Sequence, residues 1–329
     1  MAKEVSVPAL FQMGYFWEAK TFLTSVCLDV YTPLADGGKT AKEIAQAVGA
    51  DVSALERLLD ALVAMGVLKK EEDRFINSPA VQEFLVKGSP FYSAELMLLQ
   101  DDEWGNWGHL EELIRTGKPI VHENVFMNRP EVGAKILRVL HRMALRNAPS
   151  IAKAVDLSDC KSLLDVGGGA GTFSIFFCKA NPDLAVTLFD LPGSLGVAEK
   201  NIAKFGMEGR IRLVSGNFKS DPLPGPFDAI FLSDILHYQT FEENQLLFDK
   251  LYSALAPNGK VIVKDMFIND DPANPGWNAI FSIHLMVYSE KGRCFRVRDL
   301  YEWLQRSGFK ESRELERSML LIARKMESP

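Results

Sequence analysis

The run Leu163-Leu164-Asp165-Val166-Gly167-Gly168-Gly169-Ala170-Gly171 is an apolar segment closed by an acid and a cluster of glycines. It reads as a buried strand turning sharply into a helix. A Cβ there would keep the backbone from approaching a ligand and would penalise a positive φ. A second apolar run, Ala185-Val-Thr-Leu-Phe189, closes at Asp190, nineteen residues beyond Gly171. An acid at the tip of the second strand of a βαβ unit is placed to accept hydrogen bonds from a ribose, so the pair points to an adenosine-containing cofactor. Thr172 stands where a dinucleotide-binding turn needs its third glycine. What remains, Asp-x-Gly-x-Gly-x-Gly, is the form that serves S-adenosyl-L-methionine, which has no pyrophosphate to seat on a helix N-terminus.

His237 is the candidate catalyst. It follows the apolar run Phe227–Leu232 in the order Ser233-Asp-Ile-Leu-His237-Tyr. Methyl transfer from a sulfonium is an in-line displacement, in which the cofactor carries the leaving group and the protein supplies alignment. What the protein can add is a base. A phenol has a pKa of roughly 10, and taking its proton near neutrality suits a histidine near about 6.5. Asp265, at the next strand end, could orient the imidazole and hold the proton-accepting tautomer. Asn217 could hydrogen-bond an adenine or hydroxyl edge and Phe218 could lie against the ring; the plainer reading of Asn217 is a turn after a strand.

These residues need a scaffold that gathers strand tips. From about residue 160 strands and helices alternate, the signature of a parallel sheet with helices on both faces. Strands are expected near 162–166, 185–189, 211–214, 227–232 and 260–265, and helices near 171–180, 194–205, 242–256 and 297–307. Lys310–Leu315 and Ser318–Ala323 read as a closing hairpin. In such a sheet ligands bind at the carboxyl ends of the strands.

The first hundred residues read as helical with one small wing. Thr40-Ala-Lys-Glu43 is a capping box, Asp51 and Ser53 offer caps for a second helix, and Gly66 sits where that helix should stop. Val67–Lys70 and Arg74–Ile76, around an acidic turn, make a hairpin. A winged helix raises a DNA-binding reading, but the presumed recognition helix sets Asp51, Glu56 and Asp60 against Arg57 alone, the wrong sign for phosphate. The stretch before Thr40 carries Leu10, Phe11, Met13, Tyr15, Phe16 and Trp17, more apolar surface than a small module can bury. Either a partner subunit or the chain's own C-terminal half covers it. Residues 101–157 look helical and hold Trp104, Trp107, Phe126, His141 and Met143.

Composition bounds the rest. The 329 residues are 47% hydrophobic and 24% charged, with a formal net charge of −6, ordinary for a soluble protein and without a footprint for nucleic acid or an anionic membrane. Four cysteines, at 27, 160, 178 and 294, form no C-x-x-C and read as reduced thiols rather than a disulfide or metal framework. Met1-Ala-Lys-Glu-Val-Ser lacks a signal-peptide pattern, so a cytoplasmic protein is expected. The longest stretch without Asp, Glu, Lys or Arg, Pro272–Ser289, is broken by prolines, a glycine and a histidine and reads as no membrane span.

Taken together, Asp165–Gly171, Phe189-Asp-Leu-Pro192, Gly216-Asn-Phe218, Asp228–Phe231, Ile235-Leu-His237 and Leu255–Val263 resemble the small-molecule O-methyltransferases of the caffeate, flavonoid and hydroxyindole type, with their bacterial tailoring relatives. The resemblance implies an α/β fold with a Rossmann-like methyltransferase sheet, helices on both faces, and an N-terminal, mostly helical winged-helix dimerisation domain. It implies a dimerisation domain over 1–100, a helical connector lining the acceptor pocket over 101–157, and an S-adenosylmethionine-binding domain over 158–329. By position it assigns cofactor contacts to Met143, Gly167, Asp190, Leu191, Asn217, Phe218 and Ser233, to which the reading of the glycine turn adds Asp165 and Gly169, and it assigns the general base to His237 and its supporting acid to Asp265. Acceptor contacts are expected from Trp104, Trp107, Phe126, His284, Met286 and Tyr288, His284 as a second proton acceptor. The chain departs from the family at Asn217 and Ser233, where an acid and a lysine are usual, at Tyr238, and at Cys294, where a second supporting carboxylate would fall. That last departure motivates an alternative, a carbon- or sulfur-methylating relative working by proximity. A cofactor-binding regulator without turnover is a further class.

Overall fold

The computed structural model describes residues 4–121, 125–316 and 320–326. The chain forms two compact units, Met1–Gly108 and His109–Pro329.

In the first unit, local sequence sets the helix ends. The Thr40 side chain accepts from the Glu43 N–H at 3.3 Å while the Glu43 carboxylate accepts from the Thr40 N–H at 2.7 Å, which starts the helix Ala41–Val48. Asp51 caps the helix Val52–Ala64 through the Ala54 N–H at 2.8 Å, and Gly66 leaves it at φ +73°. The wing is three-stranded: β1 (Lys39–Thr40) and β2 (Leu68–Glu71) flank β3 (Arg74–Asn77). β1 went unpredicted because two residues carry no period. Ile44, Leu55, Leu59, Leu62 and Phe75 fill the core of this unit. Before it run the helices Val7–Gln12 and Trp17–Cys27, on which Phe11 (67% exposed) and Trp17 (64%) stand in solvent.

The second unit is built on a sheet whose described strands are β4 (Ser162–Val166), β5 (Ala185–Asp190), β6 (Ile211–Ser215), β7 (Phe227–Ser233), β8 (Leu255–Lys264), β9 (Lys310–Glu316) and β10 (Leu320–Arg324). Their spatial order is β6-β5-β4-β7-β8-β10-β9, with the first five parallel and β10 antiparallel to β8. Successive side chains of a strand face opposite ways. Leu164 and Val166 therefore join the layer containing Phe248 and Trp303, while Leu163 joins the layer containing Phe177, Val186 and Ile262. Burial on both faces is why β4, β5 and β7 read as nearly continuous apolar runs.

β8 starts earlier than the sequence suggested. The helix expected over 242–256 ends at Ala254, and Leu255 already pairs with Phe227 across a register shift. The closing hairpin is β9 and β10; Ser318, the expected start of its second strand, lies outside the described residues.

Candidate active site

The β4 tip is shaped by backbone that only glycine adopts easily. Gly167 has φ +67° and donates its N–H to the Phe189 carbonyl at 2.8 Å. A Cβ on Gly168 would stand 2.6 Å from Leu188 Cγ and 2.9 Å from the Asp165 carboxyl, so the turn has no room for one. Beside this turn, the Asp190 carboxylate accepts from the Gly169 N–H at 2.7 Å and the Leu191 N–H at 2.6 Å. Burial raises the Asp190 pKa and these bonds oppose the rise. Two backbone donors fix its orientation, and a carboxylate has further lone pairs for a vicinal diol. A narrow glycine cradle beside an acceptor-only group fits the ribose of S-adenosylmethionine.

Asp165 has a different posture. It is buried beneath the turn, its carboxyl accepting from Ser174 Oγ at 2.5 Å. Burial pushes its pKa up to about 7, against the Ser174 bond and with the Asp190 charge adding to the rise. It ties the strand to the helix Thr172–Ala180. At the β6 tip, Asn217 Oδ1 accepts from the Lys219 N–H at 3.0 Å, so its carbonyl closes a turn. Phe218 comes within 3.7 Å of where a Gly167 Cβ would be. Sequence reasoning missed Lys250, whose Nζ donates to the Phe218, Lys219 and Asp221 carbonyls at 3.0, 3.1 and 3.0 Å and holds this loop. No local pattern marks a lysine that acts on a loop 29 to 32 residues away.

At the β7 tip, Ser233 Oγ donates to Asp234 Oδ2 at 2.6 Å, and Lys264 Nζ reaches the same oxygen at 2.5 Å. The Ser233 hydroxyl is therefore turned to its neighbour. His237 follows on the single turn Leu236–Tyr238, buried, with Nδ1 2.6 Å from Asp265 Oδ1. Asp265 also accepts from the Leu236 N–H at 2.9 Å and the Met266 N–H at 2.7 Å. An ionised carboxylate held this way can only accept, so Nδ1 is assigned the proton and Nε2 the lone pair. Burial pulls the His237 pKa down, but the Asp265 charge and hydrogen bond outweigh it and leave the imidazole above its usual value. Asp265, though burial pushes it up, is held below the carboxylate range by His237 and its donors. Burial and the Asp265 charge push the Cys294 thiol up to about 12, so it stays protonated and takes no part as a second carboxylate would.

The helix Asn278–Tyr288 carries His284, Met286 and Tyr288, and on it the His284 and Tyr288 rings meet with centroids 5.1 Å apart. Phe281, which the sequence reading overlooked, meets the His237 ring edge-on at 5.7 Å. Its spacing of three from His284 was the available signal. Phe126 lies elsewhere, against Leu137, Ala170 and Val197 beside the glycine turn. Met143 is 45% exposed near the end of the helix Pro130–Ala144. On that helix His141 Nδ1 lies 2.8 Å from Thr172 Oγ1, and burial pushes its pKa down to about 4. Trp104 and Trp107 belong to the first unit, where Trp104 meets Phe16 edge-on at 6.1 Å.

Residues 107–310 match the O-methyltransferase domain family, and residues 11–87 match the O-methyltransferase dimerisation domain. Among curated proteins, the 3-hydroxy-5-methyl-1-naphthoate 3-O-methyltransferase of Streptomyces sahachiroi is 31% identical over 305 residues, 90% of this chain and 87% of that protein. The tetracenomycin polyketide synthesis 8-O-methyl transferase of Streptomyces glaucescens is 29% identical over 304 residues, 91% of this chain and 89% of its own. Among solved structures, human N-acetylserotonin methyltransferase in complex with SAM shares the fold with a TM-score of 0.86 at 22% identity, over 99% of this chain and 100% of that one.

Proposed function

Starting from the fact that this chain belongs to the O-methyltransferase family and is an S-adenosylmethionine-dependent methyltransferase, we propose that it methylates a hydroxyl of a small aromatic molecule with His237 as general base. The observation that carries this reading is the buried His237–Asp265 pair at the tips of β7 and β8. A carbon or sulfur acceptor working by proximity would not call for such a pair.

In this reading Asp190 and the turn through Gly167 and Gly169 hold the adenosyl moiety, with Leu191, Asn217, Phe218, Ser233 and Met143 around it, and Asp165 keeps the turn in shape. Bound S-adenosylmethionine supplies an electrophilic methyl group on a sulfonium that leaves as a neutral thioether. His237 Nε2 takes the proton of the acceptor hydroxyl, and Asp265 stabilises the imidazolium that results. The aromatic helix Asn278–Tyr288 lies against the acceptor. The relative named for 3-O-methylation of a hydroxynaphthoate supports an aromatic alcohol as substrate. The reading includes a cytoplasmic homodimer joined through the N-terminal unit, in keeping with the dimerisation-domain match and with free thiols at Cys27, Cys160, Cys178 and Cys294. Among the described residues, no helix is long and apolar enough to cross a membrane.

The test is a panel of phenols, thiols and activated carbon acids incubated with S-adenosylmethionine and followed by S-adenosylhomocysteine release. A phenol should turn over, and His237→Ala should cut that turnover by about 10²-fold or more with nucleoside affinity unchanged. Substantial turnover of the same phenol by His237→Ala would remove the base from the mechanism.

A further inference from the structure

Asp234, the residue after Ser233 at the β7 tip, has a left-handed backbone at φ +57°, which a short polar side chain tolerates. Its N–H donates to the Lys264 carbonyl at 2.9 Å. Its carboxylate is used on one side only. Ser233 Oγ and Lys264 Nζ both donate to Oδ2, at 2.6 and 2.5 Å. The other oxygen, Oδ1, is cut off from water and accepts no hydrogen bond among the described residues. Leaving a charged acceptor unsatisfied costs more than a neutral one. A clamp that merely fastened β7 to β8 would not need this, because Ser233 already pairs with Lys264 through the backbone. The Asp234 side chain as a whole is 38% exposed, so a turn about Cβ–Cγ is open to it and brings Oδ1 to a donor arriving from the crevice.

The place of this carboxylate says which donor it awaits. The tips of β6, β5, β4 and β7 follow one another across the sheet. With the ribose at Asp190 on β5 and at the glycine turn of β4, the sulfonium side of the sugar runs on toward β7. There the chain after Asp234 lies against the turn: a Cβ on Gly167 would stand 2.8 Å from Ile235 Cγ2. Behind burial and Asp265, which dominate the His237 pKa, the Asp234 charge raises it and the Lys264 charge lowers it, so both groups lie within electrostatic reach of the base. Beyond its sulfonium, S-adenosylmethionine ends in an amino acid with an ammonium group. Asp190 faces the ribose and Asp265 is taken by His237 and two backbone N–H groups, which leaves Asp234 as the acidic group at the β7 tip for that ammonium.

We propose that Asp234 binds the cofactor's α-ammonium group through its free carboxylate oxygen, with Lys264 and Ser233 holding the other oxygen in place. This deepens the reading of the preceding section and rests on its placement of the adenosyl moiety. It does not depend on which atom of the acceptor takes the methyl group. It makes Asp234 a cofactor-binding residue in its own right, and turns the Asp234–Lys264 ion pair from a fastening of two strands into the support of a binding group.

The test is calorimetric titration of the full chain with S-adenosylhomocysteine and with its desamino analogue, which carries hydrogen in place of the ammonium. Binding is then read without methyl transfer. The wild type should bind S-adenosylhomocysteine about tenfold or more tightly than the analogue, the worth of one hydrogen bond to a charged group. Asp234→Asn, which suits the left-handed backbone, turns its one oxygen to Lys264 and presents an amide in place of the free oxygen. It should lose the preference and bind the analogue as the wild type does, which also certifies that it is folded. Asp234→Glu keeps the charge and should retain part of the preference. The proposal is overturned if the wild type binds the two ligands alike, if the preference survives in Asp234→Asn, or if Asp234→Glu loses it as fully. It is overturned too if the variants weaken both ligands equally, or weaken only a bound phenol, which would put Asp234 on the acceptor side. Failure of the underlying placement looks different: Asp190→Ala would then bind S-adenosylhomocysteine as the wild type does.

Discussion

A carboxylate 2.6 Å from one ring nitrogen sets His237 apart from His141, the other buried histidine among the described residues, whose partner is a hydroxyl. Methyl transfer to a hydroxyl needs the neutral imidazole. Because Asp265 lifts the His237 pKa above its usual 6.5, the rate should rise with pH through a midpoint above 6.5. Asp265→Asn removes the lifting charge and can donate to Nδ1, which favours the wrong tautomer. Its midpoint should shift to lower pH while kcat drops about 10²-fold, as a kcat–pH profile of both proteins would reveal. Stability runs the other way for the same pair. A raised histidine stabilises the fold fully below its unfolded value and loses that contribution as pH climbs through the raised one. Asp265, held low, contributes above its unfolded value and fails only as pH falls through the lowered one. The pH that favours chemistry is therefore above the pH at which this pair adds most to stability. The sequence suggested both partners from their places after apolar runs, but not the two backbone N–H groups that pin Asp265 and so assign the proton.

Among the elements, the strand tips were legible because each ends an apolar run, and the glycine turn because steric exclusion leaves a mark in composition. The loop after β6 was less so. Its Asn217 and Phe218 were visible, but what holds them is Lys250, on the helix Phe241–Ala254. Lys250→Met keeps the stem and removes three charge-assisted hydrogen bonds. S-adenosylhomocysteine affinity, read by calorimetry, should weaken by about tenfold, since bonds to charged groups are worth about 1.5–3 kcal/mol and part of the loop's order remains. Unaltered affinity would mean the loop holds its shape without the ammonium. The early start of β8 was hidden for a related reason: the helix expected to run to 256 stops at Ala254, and it is pairing with β7 across a bulge that begins the strand at Leu255.

At the scale of the whole molecule, the first unit leaves Leu10, Phe11, Met13, Tyr15, Phe16 and Trp17 exposed, with Tyr15 stacked on Trp17 at 5.0 Å. Contiguous apolar surface of this kind marks an association site. The double change Phe11→Asp and Trp17→Asp should shift the protein from dimer to monomer in light scattering at micromolar concentration, and a dimer that persists would place the interface elsewhere. The sequence alone determined what depends on neighbours in the chain: helix caps, the positive-φ turn, the buried strands and the acids that end them. These follow from steric and hydrophobic rules acting over a few residues. Only the tertiary structure decided where each of those side chains turns. Asp165 points to Ser174 rather than outward, Ser233 to Asp234, and His237 to an acid 28 residues away, because strand order brings β8 beside β7. Sequence spacing does not encode that adjacency; the burial of both sheet faces does.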